Sequence, residues 1–415
     1  MKTLGVIPAR YESSRYPGKP LAKIFGRPMI EWVYHNAKSV KELDEVVVAT
    51  DDIRIQQYCD LKDINVIMTS SKHQCGTDRV AEVSDSIDAD YYINIQGDEP
   101  IASPNVIREV IDEFPIVNLM SECREEDLED MTIPKVATTD NSIALYYSRL
   151  PIPYQKGQTK PIHMKQIGIY SLDRDMLLMF NSIPMSHLEK VEGIEFLRFI
   201  EWGIPVKMKE VKYDTISVDV PEDIKKVEEH LYSKYSAIVF DLDGVILDSV
   251  KIKREGFEQI FPGMYIDLNT GGKTRYDKIK HFYLNEKNDT IPRDVYERLC
   301  RQYDEYTRKR VIESKVSEDI LILIKNSNFN FYIVSGTPTE ILVDILKKKK
   351  LLKYFKSVYG CDDKPKSKIL EEINESEKSM IYIGDTKNDE EEASYADVPF
   401  KRYVYGKNEI WEIFQ

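Results

Sequence analysis

The stretch Leu4-Gly-Val-Ile-Pro-Ala-Arg-Tyr-Glu-Ser-Ser-Arg-Tyr-Pro-Gly-Lys-Pro20 decides how the first half of this chain folds. Its apolar start predicts a buried parallel strand, and the polar remainder predicts a loop at the end of that strand. The loop carries Arg10, Arg15 and Lys19, with Gly18 beside the last. Fixed positive charge with little side-chain bulk suits an oligophosphate, and the alternative is a surface loop of solvated cations.

The composition limits the class of protein. A length of 415 residues exceeds one typical core, so we expect at least two domains. The formal net charge of −13 argues against nucleic acid and anionic membranes as partners. The five cysteines include no CxxC pair, which predicts reduced thiols. We recognise neither a leader nor an apolar run long enough to span a membrane, so we expect a cytoplasmic protein.

Buried strands alternate with helices after the opening stretch. The apolar patterns predict strands over 4–7, 45–50, 65–68 and 91–95, and helices over 29–40 and 80–87. This alternation predicts a mostly parallel sheet, in which ligands bind at the carboxyl ends of the strands. Three polar turns follow such ends: the cationic loop, 73–79 (HQCGTDR) and 96–100 (QGDEP). We therefore expect one ligand site along this edge.

Two carboxylates are candidate Mg²⁺ ligands at that edge. Asp98 follows the fourth strand and faces the cationic loop, although a turn aspartate that bonds its own backbone is the alternative. Asp219, in the stretch SVDVPED, is predicted to end a later strand before a helix. Further strands are predicted over 133–139, 143–147 and 162–170, and one helix over 187–200. On that helix Glu192 and Glu195 either line the site or form a solvated face.

Residues 1 to about 232 resemble the CMP-Kdo synthetase family, the 3-deoxy-manno-octulosonate cytidylyltransferases. The resemblance runs in order through VIPARYESSRYPGKPL, VVVATDD, HQCGTDR, INIQGDEP, IALYYSRLPIPY, IGIYS and SVDVPED. It implies transfer of a cytidylyl group from CTP to the anomeric hydroxyl of a 3-deoxy-2-ulosonic acid, with release of pyrophosphate. It also implies a homodimer or a higher homo-oligomer.

The same resemblance implies the roles of individual residues. Arg10, Arg15 and Lys19 hold the triphosphate, with Arg15 and Lys19 taking part in catalysis. Asp98 and Asp219 hold Mg²⁺. The other substrate-binding candidates are Gln74, Gly76, Thr77, Arg79 and Gln96 near the cytidine, and Arg149, Gln166, Glu192 and Glu195 toward the sugar.

Some positions depart from the family's pattern. Cys75 stands where the family has serine, and Asp78 where it has glutamate. Lys165-Gln166 replaces Arg-His, and Phe196 replaces glutamine; these positions lie on the sugar side in the family. Glutamine keeps hydrogen bonding but does not titrate as histidine does, and phenylalanine removes a polar contact. The family resemblance makes Kdo the leading acid sugar, and these departures motivate the alternatives, an amino-Kdo or a sialic-acid-type nonulosonic acid.

A new strand pattern begins near residue 237, so we predict domains over 1–233 and 234–415. The strand ends in Asp241-Leu-Asp-Gly-Val-Ile-Leu-Asp248. If Gly244 lets the backbone turn sharply, Asp241 and Asp243 face one site, as a nucleophile and a general acid and base. A calcium loop is the alternative, but the further ligands and the glutamate of such a loop are missing here.

Two later strands supply the other parts of a phosphate site. The strand over 331–334 ends in Ser335-Gly336-Thr337, whose hydroxyl and N–H groups suit a phosphate. The strand over 380–383 precedes Asp385 and Asp389, two further carboxylates for Mg²⁺. A lysine-rich segment, 363–370, lies between these strands and supplies positive charge for a phosphate.

Residues 236–415 resemble the haloacid dehalogenase superfamily of aspartyl-phosphate phosphatases through DLDGV, SGT and GDTKND, in this order. The resemblance implies attack by Asp241, proton transfer by Asp243 and phosphate binding by Ser335 and Gly336. It implies a metal site at Asp241, Asp243, Asp385 and Asp389. Lys366 best fits the family's lysine, with Lys364 as the alternative and Lys368 less suitable. A helical cap is expected over about 250–312.

The predicted fold class is α/β with two Rossmann-like domains. A mixed, mostly parallel nucleotidyltransferase sheet is followed by a parallel sheet of the haloacid dehalogenase type with a small helical cap. The simplest functional hypothesis is one enzyme that dephosphorylates a sugar-acid phosphate, Kdo 8-phosphate in the leading version, and activates the free acid with CTP. In the other hypothesis, the second domain is a catalytically silent binding module.

Overall fold

The computed structural model describes residues 1–13, 15–212, 216–268, 274–362 and 364–414, without the side chains of 275 and 276. Ser14 of the opening stretch, residues 269–273 of the predicted cap and Asp363 of the lysine-rich segment lie outside the described residues. The chain divides into two compact units, Met1–Val227 and Glu228–Phe414. The predicted domain boundary and this division lie in the same helix, Asp223–Lys234.

The first unit is built on a large mixed sheet. The strands of this sheet are β1 (Thr3–Ala9), β4 (Glu45–Thr50), β5 (Val66–Met68), β6 (Tyr91–Ile95), β7 (Ile116–Glu122), β8 (Lys135–Thr138), β9 (Ala144–Ser148), β10 (Met164–Asp173) and β11 (Lys207–Glu210), and β2 (Lys23–Ile24) and β3 (Arg27–Pro28) form a separate two-stranded sheet. The main order is β11-β7-β10-β6-β1-β4-β5, with β8 beside β10 and β9 beside β8. β6, β1, β4 and β5 are parallel, whereas β10 runs antiparallel to β6 and β7.

Helices cover both faces of this sheet. They are α1 (Met29–Lys38), α2 (Ile53–Leu61), α3 (Gly76–Ser84), α4 (Pro104–Glu109), α5 (Arg174–Ser182), α6 (His187–Glu192), α7 (Leu197–Glu201) and α8 (Asp223–Lys234). Alternation along β1 directs Leu4 and Val6 into one apolar cluster and Ile7 and Ala9 into another. Each fully buried aliphatic side chain of this kind stabilises the fold by about 1.5–3 kcal/mol. The sheet thereby holds the polar turns at its carboxyl edge.

Two details of the predicted secondary structure are wrong. The single helix expected over 187–200 is two helices, because Gly193 ends α6 in the left-handed conformation with φ of 64°. Asp219 lies in a loop and not at the end of a strand. Strands β7 and β11 were not predicted, although β7 pairs with β10 and β11 pairs with β7 at the edge of the sheet. The predicted α/β class with a mixed, mostly parallel sheet is confirmed.

The second unit has a parallel sheet with helices around it. Its strands are β12 (Ala237–Phe240), β13 (Asn330–Ser335), β14 (Ser357–Gly360), β15 (Met380–Gly384) and β16 (Phe400–Arg402), in the order β14-β13-β12-β15-β16. Its helices are α9 (Val250–Ile260), α10 (Arg275–Lys287), α11 (Arg293–Glu313), α12 (Glu318–Asn326), α13 (Thr339–Lys348), α14 (Lys366–Ser376) and α15 (Lys387–Tyr395). The parallel sheet predicted for this half is confirmed.

Helices α9, α10 and α11, which follow β12, form a small cap with its own core. Phe257 of α9, Ile279 of α10 and Tyr303 of α11 are buried together in one cluster, separate from the clusters of the sheets. This is the helical cap expected from the length of the segment. Within the parts of the chain that the structure describes, no helix is long and apolar enough to cross a membrane.

Candidate active sites

Two adjoining cavities open in the first unit, where the loops after β1, β6 and α6 meet. The larger has a volume of about 490 Å³ and the smaller of about 240 Å³. Both are lined by Arg15, Gln96, Asp98, Gly193, Glu195 and Asp219. Because the shared residues include both predicted metal carboxylates, ligands in the two cavities would meet beside Asp98 and Asp219.

The predicted cations and carboxylates of this edge lie against one another. Arg15 Nη2 is 2.8 Å from Asp219 Oδ1, and Lys19 Nζ is 2.7 Å from Asp98 Oδ2 and 3.7 Å from Asp219 Oδ1. Arg10 is exposed and lines the larger cavity. The other Asp98 oxygen, Oδ1, is buried and has no hydrogen-bond partner among the described residues. The two carboxylates therefore suit a bound metal cation. Arg15 and Lys19 suit a bound anion, which would replace the carboxylates as their partner.

The turn before α3 divides its residues between the cavity and the scaffold. Gln74 and Gly76 line the larger cavity. Arg79 also lines it but is buried, and its guanidinium donates to Thr69 Oγ1 at 2.5 Å and Asp51 Oδ2 at 3.1 Å. These bonds tie α3 to the segments that follow β4 and β5. Arg79 thus holds the wall of the cavity in place.

The two glutamates expected on one helix do different things. Glu195 lines both cavities and accepts the N–H groups of Gly76 and Thr77 at 3.3 Å, where the positive end of the α3 dipole favours a carboxylate. It also accepts the Thr77 hydroxyl. Glu192 lines neither cavity and accepts the backbone N–H of Arg149 at 2.9 Å. Glu192 thus orients Arg149 instead of facing a ligand.

Arg149 is part of the wall of the smaller cavity. Its guanidinium donates to the backbone carbonyls of Met131, Thr132, Glu192 and Gly193, at 2.7 to 3.3 Å. Burial lowers the pKa of Arg149, while the Glu192 carboxylate acts in the opposite direction. Arg149 keeps a positive charge in this wall, since arginine does not deprotonate in proteins.

The three departing positions expected on the sugar side, Lys165, Gln166 and Phe196, line this same cavity. Lys165 is buried there, and Gln166 donates from Nε2 to Asn118 Oδ1 at 2.9 Å. Phe196 also lines the cavity. Its ring packs against the ring of Tyr170, with the two centroids 4.7 Å apart. The cavity wall therefore offers one amide and one aromatic surface where the family has histidine and glutamine.

Gln96 lies where the cavities join, and a glycine makes room for it. A Cβ on Gly168 of β10 would lie 2.7 Å from Gln96 Cδ. Any side chain at residue 168 would therefore force the Gln96 side chain to shift.

Sequence reasoning did not single out Glu99. It is buried in the wall of the smaller cavity, and its Oε2 has no hydrogen-bond partner in the described part of the chain. Burial raises the pKa of Glu99 to about 8, and the charges of Asp98 and Asp219 act in the same direction. The only sequence signal was its place beside Asp98 in the QGDEP turn.

The second unit gathers carboxylates at the carboxyl edge of its own sheet. Oxygens of Asp241, Asp385 and Asp389 lie within 4.8 Å of one another. Gly244, with φ of 80°, lets the Asp385 carboxylate approach, because a Cβ there would collide with Asp385 Oδ2. Three carboxylates this close suit a divalent cation with oxygen ligands.

Lys366 is the lysine that lies in this carboxylate group. Its Nζ is 3.0 Å from Asp241 Oδ1, 2.6 Å from Asp389 Oδ1 and 3.1 Å from the hydroxyl of Tyr382. Tyr382 in turn donates to Asp389 Oδ1 at 2.8 Å, a role that the apolar pattern of β15 did not reveal. Lys364 and Lys368 are exposed and pair with glutamates of α14.

Asp243 belongs to the site but not to the group of three carboxylates. It accepts the Ser249 hydroxyl at 2.6 Å and the Thr337 hydroxyl at 3.3 Å, and Lys253 Nζ is 3.2 Å from its Oδ2. Burial opposes ionisation, but Lys253 and these hydroxyls lower the pKa of Asp243. Ser335 is buried at the end of β13 and accepts the N–H of Thr337 at 3.1 Å, with Gly336 between them.

Burial and neighbouring negative charges raise the pKa values of Asp241 and Asp385. Burial, with the charges of Asp389 and Asp243, raises the pKa of Asp241 to about 7, although Lys366 acts against this. Burial, with Asp241 and Asp389, raises the pKa of Asp385 to about 8. Neutralising these carboxylates with a cation would restore their ionised forms at neutral pH.

Similarity to known proteins falls in the same two parts of the chain. The cytidylyltransferase family model matches residues 4–211, and the haloacid dehalogenase-like hydrolase model matches residues 238–402. The 3-deoxy-manno-octulosonate cytidylyltransferase of Thermodesulfovibrio yellowstonii is 42% identical over 251 residues, which cover 56% of this chain and 98% of that protein. The Escherichia coli protein of the same name is 39% identical, over 54% of this chain and 94% of its own length.

A solved structure extends this similarity to the fold. The structure of CMP:2-keto-3-deoxy-manno-octonic acid synthetase complexed with CTP is 38% identical, with a TM-score of 0.54, over 56% of this chain and 99% of that one.

Proposed function

Because this chain belongs to the 3-deoxy-manno-octulosonate cytidylyltransferase family and carries a haloacid dehalogenase-like hydrolase domain, we propose that it is a bifunctional enzyme. Residues 1–233 transfer CMP from CTP to a 3-deoxy-2-ulosonic acid, Kdo in the leading version. Residues 234–415 hydrolyse the phosphorylated precursor, Kdo 8-phosphate. The observation that carries the proposal is the pair of cavities joined at Asp98 and Asp219.

CTP occupies the larger cavity, with its triphosphate on the cationic loop. Arg15 and Lys19 exchange their present carboxylate partners for phosphate oxygens, and Arg10 adds charge at the rim. The acid sugar occupies the smaller cavity, where Arg149 and Lys165 suit its carboxylate. Its anomeric oxygen attacks the α-phosphorus, the bond to pyrophosphate breaks, and the hydroxyl proton leaves to solvent. Cations already in place stabilise the developing charge without a covalent intermediate.

Asp98 and Asp219 would hold Mg²⁺ in this unit, and the unpartnered Asp98 oxygen fits that role. The ion would supply neutralisation of the phosphate charge that builds up during transfer. Before CTP binds, Arg15 and Lys19 neutralise the two carboxylates, and their exchange to phosphate oxygens leaves Asp98 and Asp219 available to the ion.

The second unit acts by covalent catalysis. Asp241 attacks the phosphorus of the sugar phosphate, and Asp243 donates a proton to the leaving sugar oxygen. The resulting aspartyl phosphate is hydrolysed by water that Asp243 deprotonates. Lys366, Ser335 and Gly336 hold the phosphoryl oxygens. Asp241, Asp385 and Asp389 would hold Mg²⁺, which would neutralise the phosphate and keep the nucleophile ionised.

The linked reaction is tested with the full-length protein, Kdo 8-phosphate, CTP and Mg²⁺ in one vessel. We expect equal amounts of orthophosphate and pyrophosphate, with CMP-Kdo as the sugar product. Formation of CMP-Kdo from Kdo but not from Kdo 8-phosphate would contradict the linked pathway. The product would serve lipopolysaccharide or capsule synthesis in the cytoplasm, and we expect a homodimer or higher homo-oligomer.

A second candidate substrate is an amino-Kdo or a sialic-acid-type nonulosonic acid. Gln166 and Phe196 favour it, because they give the smaller cavity a polarity that differs from the family's pattern. Pyrophosphate release with a panel of acid sugars, CTP and Mg²⁺ decides between the candidates. The acid with the highest kcat/KM identifies the substrate.

A further inference from the structure

Lys253 lies in the phosphatase site, on the side away from Lys366. It belongs to the cap helix α9, and its Nζ is 3.2 Å from Asp243 Oδ2 and 3.0 Å from Thr337 Oγ1. Its side chain is 13% exposed, so the ammonium group is largely removed from water. A cation held this way needs anionic partners, and Asp243 is the one that the structure gives it.

A second cap lysine faces the same region. Lys278 of α10 is half-buried and donates from Nζ to the backbone carbonyl of Leu268 at 2.5 Å. Its ammonium is repelled by Lys366 and Lys253 and attracted by Asp241 and Asp243. Lys253 is therefore the cap lysine with a direct contact to the site, and Lys278 adds to the positive charge of the cap.

The position of Asp243 indicates which part of a bound substrate lies near these lysines. In the proposed reaction the phosphoryl group is bound at Asp241, whose Oδ1 lies 3.0 Å from Lys366 Nζ, and Asp243 protonates the oxygen that leaves. The rest of the substrate must extend beyond Asp243 toward the cap, where Lys253 lies. Lysines there are surplus to phosphate binding, because Lys366 and the three-carboxylate metal group already serve it.

From this arrangement we infer that Lys253, assisted by the charge of Lys278, is a specificity residue that binds a carboxylate in the leaving part of the substrate. The phosphatase domain accordingly selects phosphorylated sugar acids over neutral sugar phosphates. Charge-assisted hydrogen bonds to a carboxylate are strong enough for roughly ten- to a hundredfold discrimination in kcat/KM. The inference rests on the proposed phosphatase activity, but it does not depend on Kdo 8-phosphate being the substrate.

The test compares two substrates that differ in one group. 6-Phosphogluconate has a carboxylate where glucitol 6-phosphate has a hydroxymethyl group, and both carry the same phosphate. Phosphate release by the full-length protein with Mg²⁺ gives kcat/KM for each. We expect wild type to prefer the acid by at least roughly tenfold. Equal values, or a preference for the neutral compound, would overturn the inference.

Variants then assign the preference to residues. Lys253→Met and Lys278→Met should each reduce the ratio of the two kcat/KM values toward one. Lys251→Met is the matched control, because this lysine lies on the same helix with a side chain that is 86% exposed. It should leave the ratio unchanged. If both cap variants keep the wild-type ratio of kcat/KM values, the two lysines do not bind the carboxylate. If one variant does not fold, the ratio measured with the other variant decides.

The outcomes separate this inference from the proposed function. Preference for 6-phosphogluconate without hydrolysis of Kdo 8-phosphate would contradict the proposed substrate and leave the inference intact. Hydrolysis of Kdo 8-phosphate without any preference in the matched pair would do the reverse. No hydrolysis of either compound, of Kdo 8-phosphate or of p-nitrophenyl phosphate would overturn both.

Discussion

The two candidate sites lie at the carboxyl ends of parallel strands but balance their charges in opposite ways. In the first unit, Arg15 and Lys19 each pair with a carboxylate, beside cavities of about 490 and 240 Å³. In the second unit, oxygens of Asp241, Asp385 and Asp389 lie within 4.8 Å of one another, and one buried lysine, Lys366, contacts Asp241 and Asp389. In the first site two cations balance two carboxylates, whereas the three-carboxylate group of the second site holds an excess of negative charge.

This difference fits two kinds of phosphoryl chemistry. Transfer of a nucleotidyl group to a sugar needs cations that can move to a polyphosphate, and no protein nucleophile. Hydrolysis through an aspartyl phosphate needs an ionised nucleophile in a buried place, which a metal ion and a lysine must sustain. The predictions below test this contrast, beginning with the largest expected effect.

Replacing Lys366 should cause the largest loss. Lys366→Ala leaves the charges of Asp241 and Asp389 uncompensated, and we expect phosphatase kcat/KM to fall by roughly a thousandfold. Pyrophosphate release by the first unit should not change. The matched control is Lys364→Ala, since Lys364 is exposed and pairs only with Glu372 among the contacts described. Equal loss in both variants would show that Lys366 has no special role.

In the first unit, Lys19→Ala should reduce cytidylyltransferase kcat/KM by roughly a hundredfold, because one charged contact to the triphosphate and to Asp98 is lost. Phosphate release by the second unit serves as the internal reference. Lys23→Ala, at an exposed lysine of β2, should retain full activity. Full activity of Lys19→Ala would refute the triphosphate clamp.

The junction of the two cavities can be altered without a change of charge. Gly168→Ala places a Cβ 2.7 Å from Gln96 Cδ, so the flexible amide must turn away. We expect roughly a tenfold loss of kcat/KM for the acid sugar, with a smaller effect on the KM for CTP. Steady-state pyrophosphate assays with each substrate varied in turn measure this. An unchanged sugar dependence would remove Gln96 from the site.

The excess negative charge of the second site predicts a pH-dependent stability. The pKa of Asp241 is raised to about 7 and that of Asp385 to about 8, so the folded state binds these protons more tightly than the unfolded state. Their stabilising contribution is complete below about pH 4 and is lost as the pH rises toward 8. In EDTA, the Tm of the second unit should therefore fall across this range by a few degrees.

Added Mg²⁺ should raise that Tm more at pH 8 than at pH 6. Calorimetry or circular dichroism, with and without Mg²⁺, measures both effects. Asp385→Asn is the control, because it removes one titrating carboxylate and should flatten the pH dependence. A Tm that changes with neither pH nor Mg²⁺ would show that ionisation of these buried carboxylates does not destabilise the fold.

Sequence patterns identified the groups that follow strands directly. Asp98, Asp241 and Asp385 each come after an apolar run, and the edge of a parallel sheet brings such residues together. Lys366 was preferred over Lys364 by spacing, and the structure places Lys366 beside Asp241. Groups of this kind are predictable because one local element positions each of them.

Other features depend on contacts between distant segments. The division of 187–200 into α6 and α7 turns Glu192 toward Arg149 and Glu195 toward α3, which helical spacing alone does not predict. The burial of Glu99 requires the cavity wall that distant strands build. Lys253 lies on a cap helix, and only the folded arrangement brings it to Asp243.

The most direct test of two independent active sites is a reciprocal pair of substitutions in the full-length protein. Pyrophosphate release from CTP and phosphate release from Kdo 8-phosphate are measured for Asp98→Asn and Asp241→Asn. Asp98→Asn should abolish the first activity and spare the second, and Asp241→Asn should do the opposite. If either substitution leaves both activities intact, or if one abolishes both in a folded protein, two separate sites with these residues are contradicted.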